Sequence, residues 1–141
     1  MERSGMSVWD TPFTLCRYPS VGLVVEPDGE GTVLLVVAPG GLDAYPKYLV
    51  RFTDVFSFTC GEEAGFQEDL GQHSAPGHAT AYVWNASPHA AAYAKTAYGA
   101  DKVVRHYVVF GGDNIASVIS SAAPVIEEVS APTELLVRYA I

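Results

Sequence analysis

Positive charge is scarce in this sequence. Eight Lys and Arg stand against sixteen Asp and Glu in 141 residues, a net charge of −8. A chain of that sign repels phosphate backbones, so no nucleic-acid partner is expected. Cysteine is nearly absent as well. Cys16 and Cys60 stand far apart and form no CxxC pair, so neither a disulfide framework nor a zinc ribbon is encoded. No apolar run approaches the roughly 20 residues needed to cross a bilayer, and no membrane partner is expected. The opening stretch MERSGMSVWDTPF lacks the apolar centre and cleavage site of a signal peptide, so the expected location is the cytoplasm. Asn85-Ala86-Ser87 matches the glycosylation acceptor pattern. With no secretory signal and with Pro88 following, it reads as a chance match. Internal repeats and low-complexity linkers are missing too.

What remains is an apolar chain, with 49% hydrophobic and 17% charged residues. That composition suits one domain spanning 1–141 with a substantial core. Val21–Glu26 and Thr32–Ala38 are apolar, β-branched runs around Pro27-Asp28-Gly29-Glu30-Gly31. Proline presets φ and the glycines supply positive φ, so a hairpin is predicted. Val33–Val37 is apolar at every position and should be covered on both faces or paired centrally.

In KYLVRFTDVFSFTC, Tyr48, Val50, Phe52, Phe56, Phe58 and Cys60 share one parity and predict a buried face. Asp54 is the one charge on that face. Fourteen residues also exceed the usual strand length of about 3–10. A bulge or bend at Thr53-Asp54 explains both facts by swinging Asp54 out; the alternative is a buried carboxylate used as an acid or base.

Residues 61–80, GEEAGFQEDLGQHSAPGHAT, carry no period and predict a long loop. AYVWN then reads as a short strand. A helix follows over about 88–98, with Ser87 as N-cap, Pro88 at the first position and Gly99 closing it. Ala90, Tyr93, Ala94, Ala97 and Tyr98 form its contact stripe. Val103–Phe110 and Ile115–Ser120 predict a second hairpin about Gly-Gly-Asp-Asn, its glycines again serving positive φ. Leu135, Val137, Tyr139 and Ile141 alternate as a terminal edge strand. The sum is an α+β fold, a mainly antiparallel sheet with one packed helix.

Motifs that carry chemistry are sparse. The Gly-Gly-Asp-Asn turn matches no phosphate-binding pattern. There is no GxSxG elbow, and neither cysteine has a histidine at an informative spacing. His106 shares the parity of Val104, Val108 and Phe110, which reads as a histidine hydrogen-bonded in or beside the core. His73 and His78 in the loop are the weak metal candidates, since HxxxxH is not a zinc spacing. His89 faces away from the alanine stripe. Glu62-Glu63 and Glu127-Glu128 are adjacent, and in a strand each pair points to opposite faces, unlike a glycosidase pair. No cofactor is expected.

YLVRFTDVFSF followed downstream by RHYVVFGGDNIASVIS resembles a pattern in small bacterial proteins, some of which resemble immunity proteins of toxin–immunity systems. There a Y-x-V-x-F-x-D-V strand precedes an HY-containing hairpin. The first half of the hairpin fits, while Ala116 and Ser117 depart from the bulkier or acidic residues of the return strand. The resemblance implies a cytoplasmic binding protein and carries no catalytic residues.

Three readings follow. In the first, a protein-binding domain covers a basic partner with Glu62, Glu63, Glu68 and Asp69, because charge complementarity speeds encounter and selects partners. In the second, a homodimer buries exposed aromatics such as Trp9, Phe13, Trp84 or Tyr139 between copies. In the third, an enzyme gathers Asp54 and His106, with His73 or His78, in one cleft.

Overall fold

The computed structural model describes residues 5–26, 31–62, 79–96, 102–112 and 114–132. Among these residues nine strands form two antiparallel sheets. One has the order β1 (Met6–Val8), β6 (Ala81–Trp84), β7 (Arg105–Phe110), β8 (Asn114–Ser120), β5 (Val55–Glu62). The other runs β2 (Ser20–Val25), β3 (Val33–Ala38), β4 (Lys47–Phe52), β9 (Val125–Val129). Helix α1 spans Pro88–Ala94. This is the expected α+β class, and the antiparallel sheets dominate it.

The two sheets share one core. Val21, Val33, Leu35, Val37, Val50 and Phe52 from the four-stranded sheet meet Ala81, Tyr107, Val109, Ala116 and Val118 from the five-stranded one. Phe13 closes this core from the loop after β1. Both predicted hairpins form, with Val25 opposite Val33 and Phe110 opposite Ile115. β3 is central and buried along almost its whole length, which accounts for its unbroken apolar run.

The long alternating segment is two strands in two sheets. β4 ends at Phe52, β5 starts at Val55, and Asp54 between them is exposed with φ +50°. The bend therefore swings the carboxylate out. Aspartate enters that left-handed region more readily than most residues. The common parity does not survive the crossing. A bulge between Val55 and Ser57 turns Phe56 toward α1, where its ring meets Tyr93 at 5.5 Å. Phe58 and Cys60 stand opposite core residues Val118 and Ala116, yet both are exposed. β5 is an edge strand, and the facing sheet does not cover them.

Three further expectations change. The helix stops at Ala94, because the Lys95 and Thr96 N–H groups reach back three residues to the Ala92 and Tyr93 carbonyls and tighten the last turn. Ala97, Tyr98 and Gly99 lie outside the described residues. β9 was hidden by its charged Glu127-Glu128 pair, and Leu135–Ile141 lies outside the described residues as well. The turn glycines Gly111 and Gly112 do not adopt positive φ, unlike Gly31 in the first hairpin.

Gly111 is required for space. A Cβ there would sit 2.8 Å from the Asn114 carbonyl oxygen, 2.9 Å from Val21 Cγ2 and 3.0 Å from the Pro19 carbonyl oxygen. Two of those atoms are backbone and cannot move aside cheaply. Gly111→Val should therefore cost about 1–3 kcal/mol. Gly22, whose added Cβ would meet nothing within 4 Å, should accept alanine with a change within about 0.5 kcal/mol. Urea midpoints of the two variants check the contrast.

Candidate functional site

Three places hold the residues that could carry chemistry or recognition. The first is the outer face of the five-stranded sheet, under α1. His106 is 4% exposed on β7. Its Nδ1 lies 2.6 Å from Ser87 Oγ, and its Nε2 contacts Ser117 Oγ on β8. Ser87 is the helix N-cap and accepts the Ala90 N–H at 3.1 Å. If the Ser87 hydroxyl donates to Nδ1, the ring carries its proton on Nε2 and donates to Ser117, so every group in the chain is satisfied. Trp84 lies 5.1 Å from the imidazole centroid, and His89 lies 6.2 Å from it. His106 is thus hydrogen-bonded in the core, as its parity predicts. The serines were not foreseen, because they lie 19 and 11 residues away and only the cap at Ser87 was legible.

The second place is a cleft of about 420 Å³ where the chain crosses between sheets. Asp54, Phe56, Tyr93 and Lys102 line it. Asp54 and His106 are not brought together. Val55 and Arg105 both stand opposite Ser120, on either side of β8, so β5 and β7 lie two strand spacings apart, about 10 Å. Both ring nitrogens of His106 are already engaged by serines. His73 and His78 lie outside the described residues, and no site is built from them.

Neither cysteine is primed as a nucleophile. Partial burial pushes the Cys16 and Cys60 thiols up, which reduces the thiolate that would react. Glu127 and Glu128 point to opposite faces of β9, as their adjacency predicts. Glu128 accepts the Tyr48 hydroxyl across the strand pair at 3.2 Å. Burial first, and that carboxylate second, push the Tyr48 phenol up.

The third place is the free edge of β5. Among the described residues its one strand partner is β8. The strand reads VFSFTCGE, with no charge before its last residue and no proline. Such an edge is open to pairing with another chain. Phe58, 41% exposed, and Cys60 project from it on the core-facing side. Glu62 ends the strand, while Glu63, Glu68 and Asp69 lie outside the described residues. The aromatics proposed for a homodimer are placed elsewhere. Phe13 and Trp84 are buried within the chain, Trp9 is half-buried against the inter-sheet core, and Tyr139 lies outside the described residues.

Among the described residues no helix is long and apolar enough to cross a membrane. No family model matches this chain, and no curated protein or solved structure matches it either.

Proposed function

We propose that this chain is a non-catalytic protein-binding domain whose partner is a basic polypeptide, in the manner of an immunity-type inhibitor of a basic toxin. The observation that supports this reading is the edge of β5, which among the described residues is free and carries no charge before Glu62, with Phe58 exposed beside it. An extended segment of the partner would add a strand there through main-chain hydrogen bonds. The strand runs directly into Glu62, Glu63, Glu68 and Asp69 in a chain of net charge −8, so a basic segment is favoured over an acidic one.

The test uses the full chain, alone and after capture from a lysate of its own organism, with light scattering to give stoichiometry. The expected result is a defined complex with a basic protein that weakens as salt rises. Reversing Glu62, Glu63, Glu68 and Asp69 to lysine should weaken it by roughly tenfold or more. Cys60→Pro, which removes a donor on the open side of β5 because the alternate residues Ser57, Thr59 and Gly61 face β8, should weaken it without changing the salt response. A complex indifferent to both variants would remove this reading. A homodimer is the second reading, supported by the same edge, because Val55–Gly61 carries no charge to repel its own copy. A stable dimer abolished by Cys60→Pro would favour it.

A further inference from the structure

The loop between β1 and β2 combines two properties that rarely occur together. Its backbone is tied down along its length, yet three of its side chains stand in solvent. Thr14 Oγ1 accepts the Thr11 N–H at 2.7 Å and donates to the Trp9 carbonyl at 2.5 Å. The Thr80 N–H donates to the Thr14 carbonyl at 2.7 Å, and the Thr80 hydroxyl donates to the Cys16 carbonyl. From the other side, the Gly112 N–H donates to the Pro19 carbonyl at 2.9 Å. Between these anchors Leu15 is 83% exposed, Tyr18 is 78% exposed, and Arg17 is exposed beside them.

Tyr18 also sits at φ +54°, a strained region for a non-glycine residue that persists only where its surroundings hold it. Nothing in the core explains that conformation, because the ring is in water. A rigid loop that displays an aromatic, an aliphatic and a guanidinium has already met the ordering cost of binding.

These residues wall a cleft of about 480 Å³, completed by Phe110, Ile115 and the Gly111-Gly112 turn. The size falls within the range of about 300–1,000 Å³ usual for small-ligand sites. Among the described lining residues Arg17 is the single charged side chain, in a chain that is otherwise strongly acidic. Among the described residues it forms no ion pair. We propose that this cleft binds a small carboxylate with an apolar body, the guanidinium of Arg17 taking the carboxylate and Leu15, Tyr18, Phe110 and Ile115 taking the rest.

The walls argue against a phosphate. One cation serves a monoanion, and a planar guanidinium fork matches a carboxylate by two parallel hydrogen bonds. The backbone N–H groups that could have formed a phosphate nest are spent, Gly111 on the Asn114 carbonyl at 2.7 Å and Gly112 on Pro19. The Cys16 thiol, directed to the Pro39 carbonyl at 3.3 Å, is a wall of the cleft and not a reagent. No described residue of β5 lines this cleft, and the proposal does not depend on the proposed protein partner.

The test is an amide-resolved NMR titration of the full chain with hydrocinnamate, its uncharged amide, and inorganic phosphate. Hydrocinnamate should give saturable shifts confined to 15–18 and 110–115. The amide should bind at least about fivefold more weakly, as should Arg17→Gln, because each loses the charge-assisted hydrogen bonds. Tyr18→Gly, which suits the left-handed backbone and so keeps the fold, should also weaken binding by removing a wall. Equal binding of acid and amide, equal binding by Arg17→Gln, saturable phosphate binding at the same amides, or no saturable shift would each overturn the proposal.

Discussion

Phe52→Ala should lower the unfolding free energy by about 3–5 kcal/mol, a large share of the roughly 5–15 kcal/mol that holds a domain of this size. Phe52 is fully buried at the point where the chain leaves the four-stranded sheet. Its ring lies 5.4 Å from Tyr107 across the sheet interface and 6.3 Å from Trp9. Trp9 in turn meets Phe13 edge-on at 6.3 Å and Tyr107 at 5.0 Å. Removing the phenyl ring opens a void between two sheets whose backbones are fixed by their own ladders, so the gap cannot close by a small side-chain shift. Phe52→Leu, which keeps most of the volume, should cost less than about 1.5 kcal/mol. Urea unfolding followed by tryptophan fluorescence checks both values, because Trp9 reports on the same cluster. A loss below about 1.5 kcal/mol for the alanine variant would mean that the sheets do not meet through this cluster.

The particular side chains show why some of the fold was legible and some was not. The two hairpins were readable because each is local: alternating or apolar runs bracket a Gly-containing turn, and pairing follows from proximity along the chain. The helix start was readable for the same reason, since Ser87 and Pro88 act within one turn. The sheet change at Thr53-Asp54 was readable only as a defect, a charge on an apolar face. Sequence alone does not say that the strand leaves one sheet and joins another, because the parity of Phe56, Phe58 and Cys60 looks continuous. β9 was hidden because its pairing is non-local: Glu128 finds its use opposite Tyr48, 80 residues away. The left-handed Tyr18 had no signature at all. Tyrosine does not favour that region, and the anchors from Thr80 and Gly112 on either side of it come from distant parts of the chain.

His106→Ala should cost about 2–4 kcal/mol, and the loss should be felt first at α1. The substitution removes an imidazole packed at a tilt against Trp84 and takes the partner from two hydroxyls; a buried polar group left unpaired costs about 1–3 kcal/mol. Ser117, only partly buried, can recruit water, so Ser87 bears the larger part. Ser87→Ala alone should cost about 1 kcal/mol through the lost cap. The two sites share one hydrogen bond, so the double variant should lose less than the sum of the singles, with a coupling of roughly 0.5–3 kcal/mol. Hydrogen exchange gives the local readout. The Ala90 and Ala91 amides, held by Ser87 Oγ and the Ser87 carbonyl, should open faster in His106→Ala, while the Val108 amide in the middle of β7 follows global unfolding. His106→Gln, which can still offer a donor and an acceptor, should recover part of the loss. Additive single costs would instead mean that the imidazole fills space under the helix without holding its cap, and that the serine–histidine–serine chain contributes nothing beyond volume.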